Sequence, residues 1–401
     1  MKRFSYEARD KTTGKIVKSE VQAETEHAAG RLLMEQGFIP VKDLKEINEE
    51  GFFGKFTNRI SSKDKIVFTR QFSTLISAGL PLSQSLHTVG EQTQNKKMKN
   101  VIEDIMASVE AGTTLSDAFS KHSDVFDKVY LSLVAAGELS GTLDESLLRI
   151  AAQQEKDSEM MSKIKGALTY PIIVLFVILG VVGFMMFTVV PQVEQLYRDM
   201  GKELPLMTQI MVNASNFIMN YWWVVIIAIA TVVWFFLQFL KTDTGIKSAA
   251  AFKLNVPMFG ALFRKLYMAR FTRTGQTLLA TGVAMLDMLN ICGDALNNVI
   301  VKKSIDEAAE MVQGGKNLSD SLRGKDYILP LVPQMISIGE QSGKIDQMLG
   351  KTAQVYENEL EEQIRSISTM IEPIMMVVMA VLAGGMIGAI LMPIYGLVNN
   401  V

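Results

Sequence analysis

Three long stretches of the chain carry no charged residue and consist mainly of apolar side chains. They run between Lys165 and Glu194, between Glu203 and Lys241, and from Pro373 to Val401. Each holds at least about 20 mainly apolar residues, enough at about 1.5 Å rise per residue for a helix to cross a bilayer core of roughly 30 Å. Buried core helices rarely run so long without a charge. The pattern therefore predicts three transmembrane helices, at residues 168–191, 217–240 and 373–397.

Outside these stretches, apolar positions recur with the period of an α-helix, i, i+4, i+7 and i+8. The clearest stripe consists of Phe68, Phe72, Leu75 and Ile76. Gly79 then stands where a helix would end, and Pro81 where the next would begin. Thr142 and Glu145 have the spacing of a capping box, which predicts the start of a long helix toward the membrane. The soluble parts are therefore predicted to be helical bundles.

The N-terminal region has a different pattern. Polar and apolar residues alternate in two runs around a turn at Thr12 to Lys15, and a helical segment (25–36) leads to a third extended run. This pattern predicts a small ββαβ subdomain at residues 1–46. The linker that follows, 47–62, carries the aromatic residues Phe52, Phe53 and Phe56. These either pack on the first helical module, which we favour, or contact a partner or the membrane surface.

The sequence contains an internal repeat, in which one set of short motifs recurs in the same order after about two hundred residues. The matching pairs are Phe68-Thr69-Arg70 with Phe271-Thr272-Arg273, Thr74 to Gly79 with Thr277 to Gly282, Gly112 and Leu115-Ser116-Asp117 with Gly315 and Leu318-Ser319-Asp320, Gly137 to Gly141 with Gly339 to Gly343, Pro171 with Pro373, and Pro191 with Pro393. Each copy is predicted to be a helical module, at 63–167 (module 1) and 241–371 (module 2), that leads into one span.

The repeat also constrains the topology. Two units that both run outward cannot be joined directly, so the middle span, which has no counterpart, returns the chain to the inner side. Lysines and arginines cluster before the first span and after the second, whereas the loop at 192–216 holds only Arg198 and Lys202. Since the first ten residues also lack an apolar signal segment, we expect the N-terminus and both modules in the cytoplasm, a periplasmic loop, and the C-terminus outside.

The sequence offers little catalytic chemistry. The single Cys292 excludes an intrachain disulfide and a multi-cysteine metal site. Gly339 to Lys344 resembles a phosphate-binding loop but is one residue short, and Ile345 stands where a hydroxyl residue would bind magnesium. No acid or histidine lies within the predicted spans, as a proton relay would require. A net charge of −2 gives no sign of nucleic-acid binding. We therefore predict a protein without catalytic activity, cofactor or metal.

Two sets of residues remain as candidates for a functional role. The first lies at the repeated turns: Glu138, Ser140, Gly141, Glu340, Ser342 and Gly343. The two glutamates either satisfy hydrogen bonds at a helix end or form a docking surface for a partner. The second set is suited to close packing in the membrane: Pro171, Gly180, Gly183, Pro373, Ala380, Gly384 and Gly388. The small residues either pack the three spans together or form a groove for another transmembrane helix.

Taken together, the repeated Phe-Thr-Arg, the turn at Gly137 to Gly141, Tyr170-Pro171 and Pro191 give the chain a family resemblance. The chain resembles the inner-membrane platform proteins of type IV pilus and type II secretion machines (the GspF/PilC family) over essentially its whole length. The second copy departs from the pattern, since Glu372-Pro373 replaces Tyr170-Pro171 and Gln341 replaces Leu139.

The resemblance implies a non-enzymatic platform at the membrane centre of such a machine. Its implied partners are a hexameric cytoplasmic ATPase, the transmembrane helices of pilin or pseudopilin subunits, inner-membrane alignment proteins and further copies of the chain. We expect a pilus platform, with the equivalent secretion platform as the alternative. A small transporter, or a membrane-bound sensor or enzyme, would require a polar or catalytic cluster that the sequence does not show.

Overall fold

A computed structural model describes residues 59–199, 201, 206–257 and 259–398, together with four strands in the first 46 residues. The strands are β1 (Lys2–Asp10), β2 (Ile16–Ala23), β3 (Phe38–Pro40) and β4 (Lys45–Glu46). All pair antiparallel with β1, in registers such as Phe4 with Val21 and Ala8 with Pro40. The predicted helix at 25–36 and the linker phenylalanines lie outside the described residues, so the ββαβ order stays a prediction.

Six helices follow in the first repeat. They are α1 (Ser62–Ser77), α2 (Leu82–Gln92), α3 (Lys96–Glu110), α4 (Leu115–Ser120), α5 (Lys128–Ser140) and α6 (Leu143–Phe184). The predicted stripe on α1 is confirmed, because Phe68 and Phe72 are buried and Leu75 and Ile76 pack against the core. Gly79 has the predicted turn conformation, with φ of +82°.

The α6 helix does not end at Pro191. It continues through a π-helical turn at Met185–Val189 into α7 (Val190–Asp199). A proline has no N–H to donate, and a wider turn of this kind accommodates the missing hydrogen bond. The hydroxyl of Ser215 donates to the Met186 carbonyl oxygen over 2.6 Å, so one carbonyl freed by the wider turn is satisfied from a neighbouring helix.

The segment predicted as a loop at 192–216 is largely helical. It contains most of α7 and most of α8 (Leu206–Asn220). Val193 and Tyr197, one helical turn apart, are buried with Val189 packed beside them, which gives α7 an apolar face to cover. The next apolar helix, α9 (Trp222–Phe239), starts five residues later than expected from the pattern, since Phe217 to Asn220 belong to α8.

After α10 (Asp243–Asn255), six helices repeat the order of the first module. They are α11 (Phe259–Ala280), α12 (Met285–Ala295), α13 (Val299–Gln313), α14 (Leu318–Leu322), α15 (Leu331–Ser342) and α16 (Ile345–Val398). Gly282, Gly315 and Gly343 repeat the positive φ of Gly79, Gly112 and Gly141. The prediction that both modules have the same helix order is confirmed.

Three helical segments in the described part of the chain are long and apolar enough to cross a membrane: the continuous helix from Leu143 to Asp199, the helix α9, and α16. In module 2 the first helix runs antiparallel to the long helix that enters the membrane, since Lys265 pairs with Glu359 and Gln276 lies against Gly350. The equivalent ion pairs of Arg70 with Glu155 and Arg273 with Glu357 give module 1 the same arrangement, and the two modules share one continuous hydrophobic core. The chain is therefore a helical membrane protein in which two similar bundles are packed together beside three apolar helices.

Candidate functional site: the repeated turns and the seam between the modules

The arginine of each repeated Phe-Thr-Arg sequence forms a two-pronged ion pair with a glutamate on the long helix of its own module. Arg70 donates through Nε to Glu155 Oε1 over 2.6 Å and through Nη2 to Oε2. Arg273 donates through the same two nitrogens to Glu357, both over 2.9 Å. Such parallel hydrogen bonds between ionised groups are the strong form of this contact. Each pair therefore fixes the first helix of the module to the helix that enters the membrane.

The two ion pairs differ in burial. The Glu155 side chain is 42% exposed, and hydrogen bonding from Arg70 lowers the pKa of its carboxyl. The Glu357 side chain is only 6% exposed. A buried carboxylate depends far more on its counter-ion than a solvated one does. The same contact is therefore expected to be much more important for stability in the second module.

The repeated glutamates Glu138 and Glu340 point away from their own turns. Glu138 accepts hydrogen bonds from the backbone N–H groups of Leu115 and Ser116, over 2.7 and 3.0 Å, and from the Ser116 hydroxyl over 2.8 Å. Glu340 accepts in the same way from the N–H and hydroxyl of Ser319, over 3.2 and 2.5 Å. Each carboxylate thus caps the short helix α4 or α14, whose first N–H groups have no partner within the helix.

The other predicted turn residues have local roles. Gly141 and Gly343 both lie in the left-handed region, with φ of +73° and +70°. Ser140 and Ser342 each donate a side-chain hydrogen bond to the carbonyl oxygen four residues earlier, over 2.7 and 2.8 Å. Only glycine adopts the left-handed conformation of Gly141 and Gly343 without strain. The turns therefore reverse the chain sharply between the fifth and sixth helices of each module.

The capping box predicted at Thr142 is wrong. Thr142 is the residue before α6, but its side chain makes no hydrogen bond to that helix. Its backbone N–H instead donates to the Gly137 carbonyl oxygen over 2.9 Å, and its hydroxyl lies 2.7 Å from the Ser140 hydroxyl. Because that N–H already closes the end of α5, it is not free for Glu145.

The first glycine of each turn motif allows the fifth and sixth helices to approach closely. A Cβ atom at Gly137 would lie 2.5 Å from the Ser146 Oγ atom, and one at Gly339 would lie 2.7 Å from the Ile345 Cα atom. Both distances are shorter than van der Waals contact. These glycines were part of the repeat in the sequence, but their packing role depends on a tertiary contact.

Replacing Gly339 by alanine is therefore expected to lower the free energy of unfolding by about 1–3 kcal/mol, because the backbone of Ile345 must move. Gly166→Ala is the matched control, since a Cβ atom there meets nothing within 4 Å. It should stabilise the helix by about 0.5–1 kcal/mol. Thermal unfolding of the full-length protein in detergent measures both. Equal effects of the two changes would contradict the packing role.

The two modules are joined by polar contacts along a seam between their helices. Lys128 of α5 pairs with Asp294 of α12 over 2.5 Å, and Lys163 of α6 pairs with Glu361 of α16 over 2.6 Å. Between them, the Gln153 side chain donates to the Thr274 hydroxyl over 2.8 Å. Hydrogen bonds from Lys128 and Lys302 lower the pKa of Asp294. These contacts form only between the two modules, in contrast to the repeated ion pairs, which form within each module.

A polar cleft of about 800 Å³ opens along this seam. Asp157 lies in it, 4.0 Å from Arg270, and burial raises the pKa of its carboxyl despite the opposing charge of the arginine. Within the described ranges, the buried atoms Gln153 Oε1, Gln154 Oε1 and Arg270 Nε have no hydrogen-bond partner. Unsatisfied polar groups make an interface weaker than a tightly packed core. Along the seam, this polar cleft lies beside the hydrophobic core that the two modules share.

The predicted packing residues of the spans lie in open positions. A Cβ atom at Gly180, Gly183, Gly384 or Gly388 would meet nothing within 4 Å in the described part of the chain. Ala380 is exposed, and the helices continue through Pro171 and Pro373. No side chain of α9 is buried. The described residues therefore do not pack these small side chains against another span of the same chain.

The structure places the two predicted sets in different regions. The turn residues lie at the end of each module away from the spans, and the small residues lie in the apolar helices. Sequence reasoning missed Glu155 and Glu357, although the shared spacing of these two acids from Gly137 and Gly339 marks them as equivalent. It also missed the seam, because its contacts run between the two modules and not within one. Among the described residues, no cluster of three or more metal-ligating side chains was found.

Comparison with known proteins agrees with this architecture. Residues 68–191 and 271–393 each match the family model of Type II secretion system (T2SS), protein F, which confirms the internal repeat. Residues 1–43 match the N-terminal domain of that protein.

Curated relatives match along nearly the whole chain. A type IV pilus assembly protein PilC from Myxococcus xanthus is 38% identical over 99% of this chain and 95% of its own length. PilC from Thermus thermophilus is 33% identical over 99% of this chain and 98% of its own length. The type II secretion system protein F of Vibrio cholerae is 30% identical over 100% of this chain and 99% of its own length.

Proposed function

The chain belongs to the type II secretion system protein F family, and from that premise we propose that it is the inner-membrane platform of a type IV pilus assembly machine. The pilus assignment is supported by identities of 38% and 33% to two pilus assembly proteins, and identities of 30% and 32% to two secretion proteins keep the equivalent secretion platform as the alternative. The proposed partners are a hexameric cytoplasmic ATPase, pilin transmembrane helices, inner-membrane alignment proteins and further copies of the chain.

Genetic complementation separates the two machines. The chain is produced in one strain that lacks its pilus platform and in another that lacks its secretion platform. We expect fibres to return in the first strain and secretion to stay absent in the second. Restored secretion without fibres would replace the pilus assignment by the secretion alternative. Neither outcome depends on knowing which surface binds the ATPase.

We propose that the platform transmits motion from the cytoplasm to the membrane through α6 and α16. The observation that supports this is their continuity: α6 spans 42 residues and α16 spans 54, each from the turn of its module into an apolar segment without a break. A helix rises about 1.5 Å per residue, so α6 reaches about 60 Å. Because each helix is continuous, a displacement of a module also displaces the membrane-spanning part of its long helix.

A flexible joint between module 1 and its span tests this mechanism. Lys165→Gly with Ala167→Gly places three glycines in a row around Gly166, and each glycine weakens a helix by about 0.5–1 kcal/mol. Lys165→Ala with Gly166→Ala gives three alanines as the matched control. We expect both proteins to enter the membrane and bind the ATPase, and only the glycine variant to lose fibre assembly. Fibres from the glycine variant at the normal level would contradict transmission through α6.

We also propose that the N-terminus and both modules lie in the cytoplasm and that the C-terminus lies outside. Cysteine labelling in a Cys292→Ser background measures this. A cysteine at Asn400 should react with a membrane-impermeant reagent from the periplasm, and one at Lys316 only after the membrane is opened. Labelling of Asn400 from the cytoplasm alone would reject this topology.

A further inference from the structure

The first turn of α1 lies close to the membrane end of module 1. Because α1 runs antiparallel to α6, with Arg70 opposite Glu155, the eight residues back to Ser62 cover about 12 Å and reach the level of Lys163 on α6. The uncharged stretch of α6 begins at Gly166. The start of α1 is therefore within about 10 Å of the start of the uncharged stretch, and for a membrane-spanning α6 this is the depth of the headgroup layer.

The start of α3 lies at the same level. Asn95, the residue that caps α3, donates to the Asp64 carboxylate over 2.9 Å and to the Arg59 carbonyl oxygen over 3.3 Å. These contacts hold Lys96 and Lys97, the first two residues of α3, beside the first turn of α1. The basic rim is defined by four side chains that are exposed at this end of the module: Arg59, Lys63, Lys96 and Lys97.

The rim carries positive charge without a structural use for it. Among the described residues, none of its four side chains forms an ion pair with a carboxylate. Of the neighbouring acids, Asp64 accepts hydrogen bonds from Ser61 and Asn95, and Asp124 lies at the edge of the rim. Lys65 is nearby but is excluded from the rim, because its Nζ donates to the Val125 carbonyl oxygen over 3.0 Å.

The equivalent place in module 2 is different. Val299 and Ile300 occupy the positions of Lys96 and Lys97 in the repeat. The helix α10 covers the start of α13, where the Asn298 side chain donates to the Ala250 carbonyl oxygen over 3.5 Å. Since the two modules are otherwise built alike, the positive charge of the rim is not required by the fold.

We propose that the basic rim binds the anionic phospholipid headgroups of the leaflet that α6 enters. Basic residues close to an anionic membrane surface each strengthen binding by about fivefold, and the effect extends over a Debye length of about 10 Å. The rim is exposed at the membrane end of module 1, within that distance of the uncharged stretch of α6. The proposal depends on α6 being a span and is independent of which machine the platform serves.

Hydrogen exchange of the full-length protein in nanodiscs tests the proposal. Exchange is measured in nanodiscs of phosphatidylcholine alone and of phosphatidylcholine mixed with phosphatidylglycerol. We expect the backbone amides of residues 59–67 and 95–101 to exchange about fivefold or more slowly with the anionic lipid, and high salt to remove the difference. Exchange in α5 reports on folding and should be the same in both nanodiscs.

Variants identify the residues responsible. Arg59→Gln, Lys63→Gln, Lys96→Gln and Lys97→Gln together should abolish the lipid dependence while exchange in α5 is unchanged. Lys316→Gln with Lys344→Gln is the control, because both lysines are exposed near the turns at the opposite end of module 2. Equal exchange of the wild-type protein in the two nanodiscs would overturn the proposal. Protection that appears only when an assembly ATPase is added would overturn it in favour of a protein partner.

Discussion

Replacing Arg273 by alanine is expected to destabilise the protein by about 3–5 kcal/mol, because it leaves the Glu357 carboxylate buried without a counter-ion. The equivalent change Arg70→Ala should cost about 1 kcal/mol or less, since Glu155 is 42% exposed and is solvated when its partner is removed. The two arginines occupy the same place in the repeat, so each variant is the control for the other. Thermal or denaturant unfolding of the full-length protein measures the difference.

A double substitution separates loss of a favourable contact from burial of an unpaired charge. Arg273→Met with Glu357→Met replaces both partners by apolar side chains of similar length, and such replacements are often neutral or stabilising. We expect the double variant to be more stable than Arg273→Ala alone. Equal losses for Arg70→Ala and Arg273→Ala would show that burial of the glutamate does not determine the cost.

The features that depend on local spacing could be predicted from the sequence. The uncharged stretches marked the three apolar helices, and the apolar stripe on α1 marked its buried face. Gly141 and Gly343 have the expected positive φ. These signals are local because bilayer thickness, helical period and glycine's conformational freedom each act on neighbouring residues.

Features that depend on long-range contacts could not be found in the same way. The sequence contained both halves of each cap, Leu115-Ser116-Asp117 with Glu138 and Leu318-Ser319-Asp320 with Glu340, as separate repeated motifs. Their contact spans more than twenty residues and forms only after α4 packs beside α5. The capping box failed for a related reason: the Thr142 N–H is already used by the turn that closes α5.

The seam between the modules is the part least accessible to sequence reasoning. Gln153 and Asp157 lie on α6, Arg270 and Thr274 lie on α11, and the contacts between these two helices join different modules. An internal repeat predicts two similar bundles, but it does not predict how two similar bundles pack together. That arrangement is specified by residues in which the copies differ, such as Lys128 and Asp294.

Replacing Glu138 or Glu340 by alanine is expected to lower the free energy of unfolding by about 2–3 kcal/mol each. Each carboxylate accepts charge-assisted hydrogen bonds at the start of a buried short helix, and its loss leaves backbone N–H groups without a partner. The two sites share no partner, so the losses should be roughly additive. Glu→Gln at the same positions keeps one acceptor oxygen and should cost less. Glu145→Ala is the surface control, because the Glu145 carboxylate forms an exposed ion pair with Arg149 of its own helix, over 3.7 Å, and not a contact with another helix.

The same variants decide between the structural and docking hypotheses for these glutamates. A cap acts on folding, so Glu138→Ala and Glu340→Ala should lower the melting temperature and should bind the assembly ATPase normally at temperatures where they remain folded. A docking residue would show the reverse: unchanged melting and weakened binding of the ATPase. Because each carboxylate already points at the N–H groups of α4 or α14, we expect the first outcome. Normal melting with lost ATPase binding would assign the turns to the motor interface instead of the bundle.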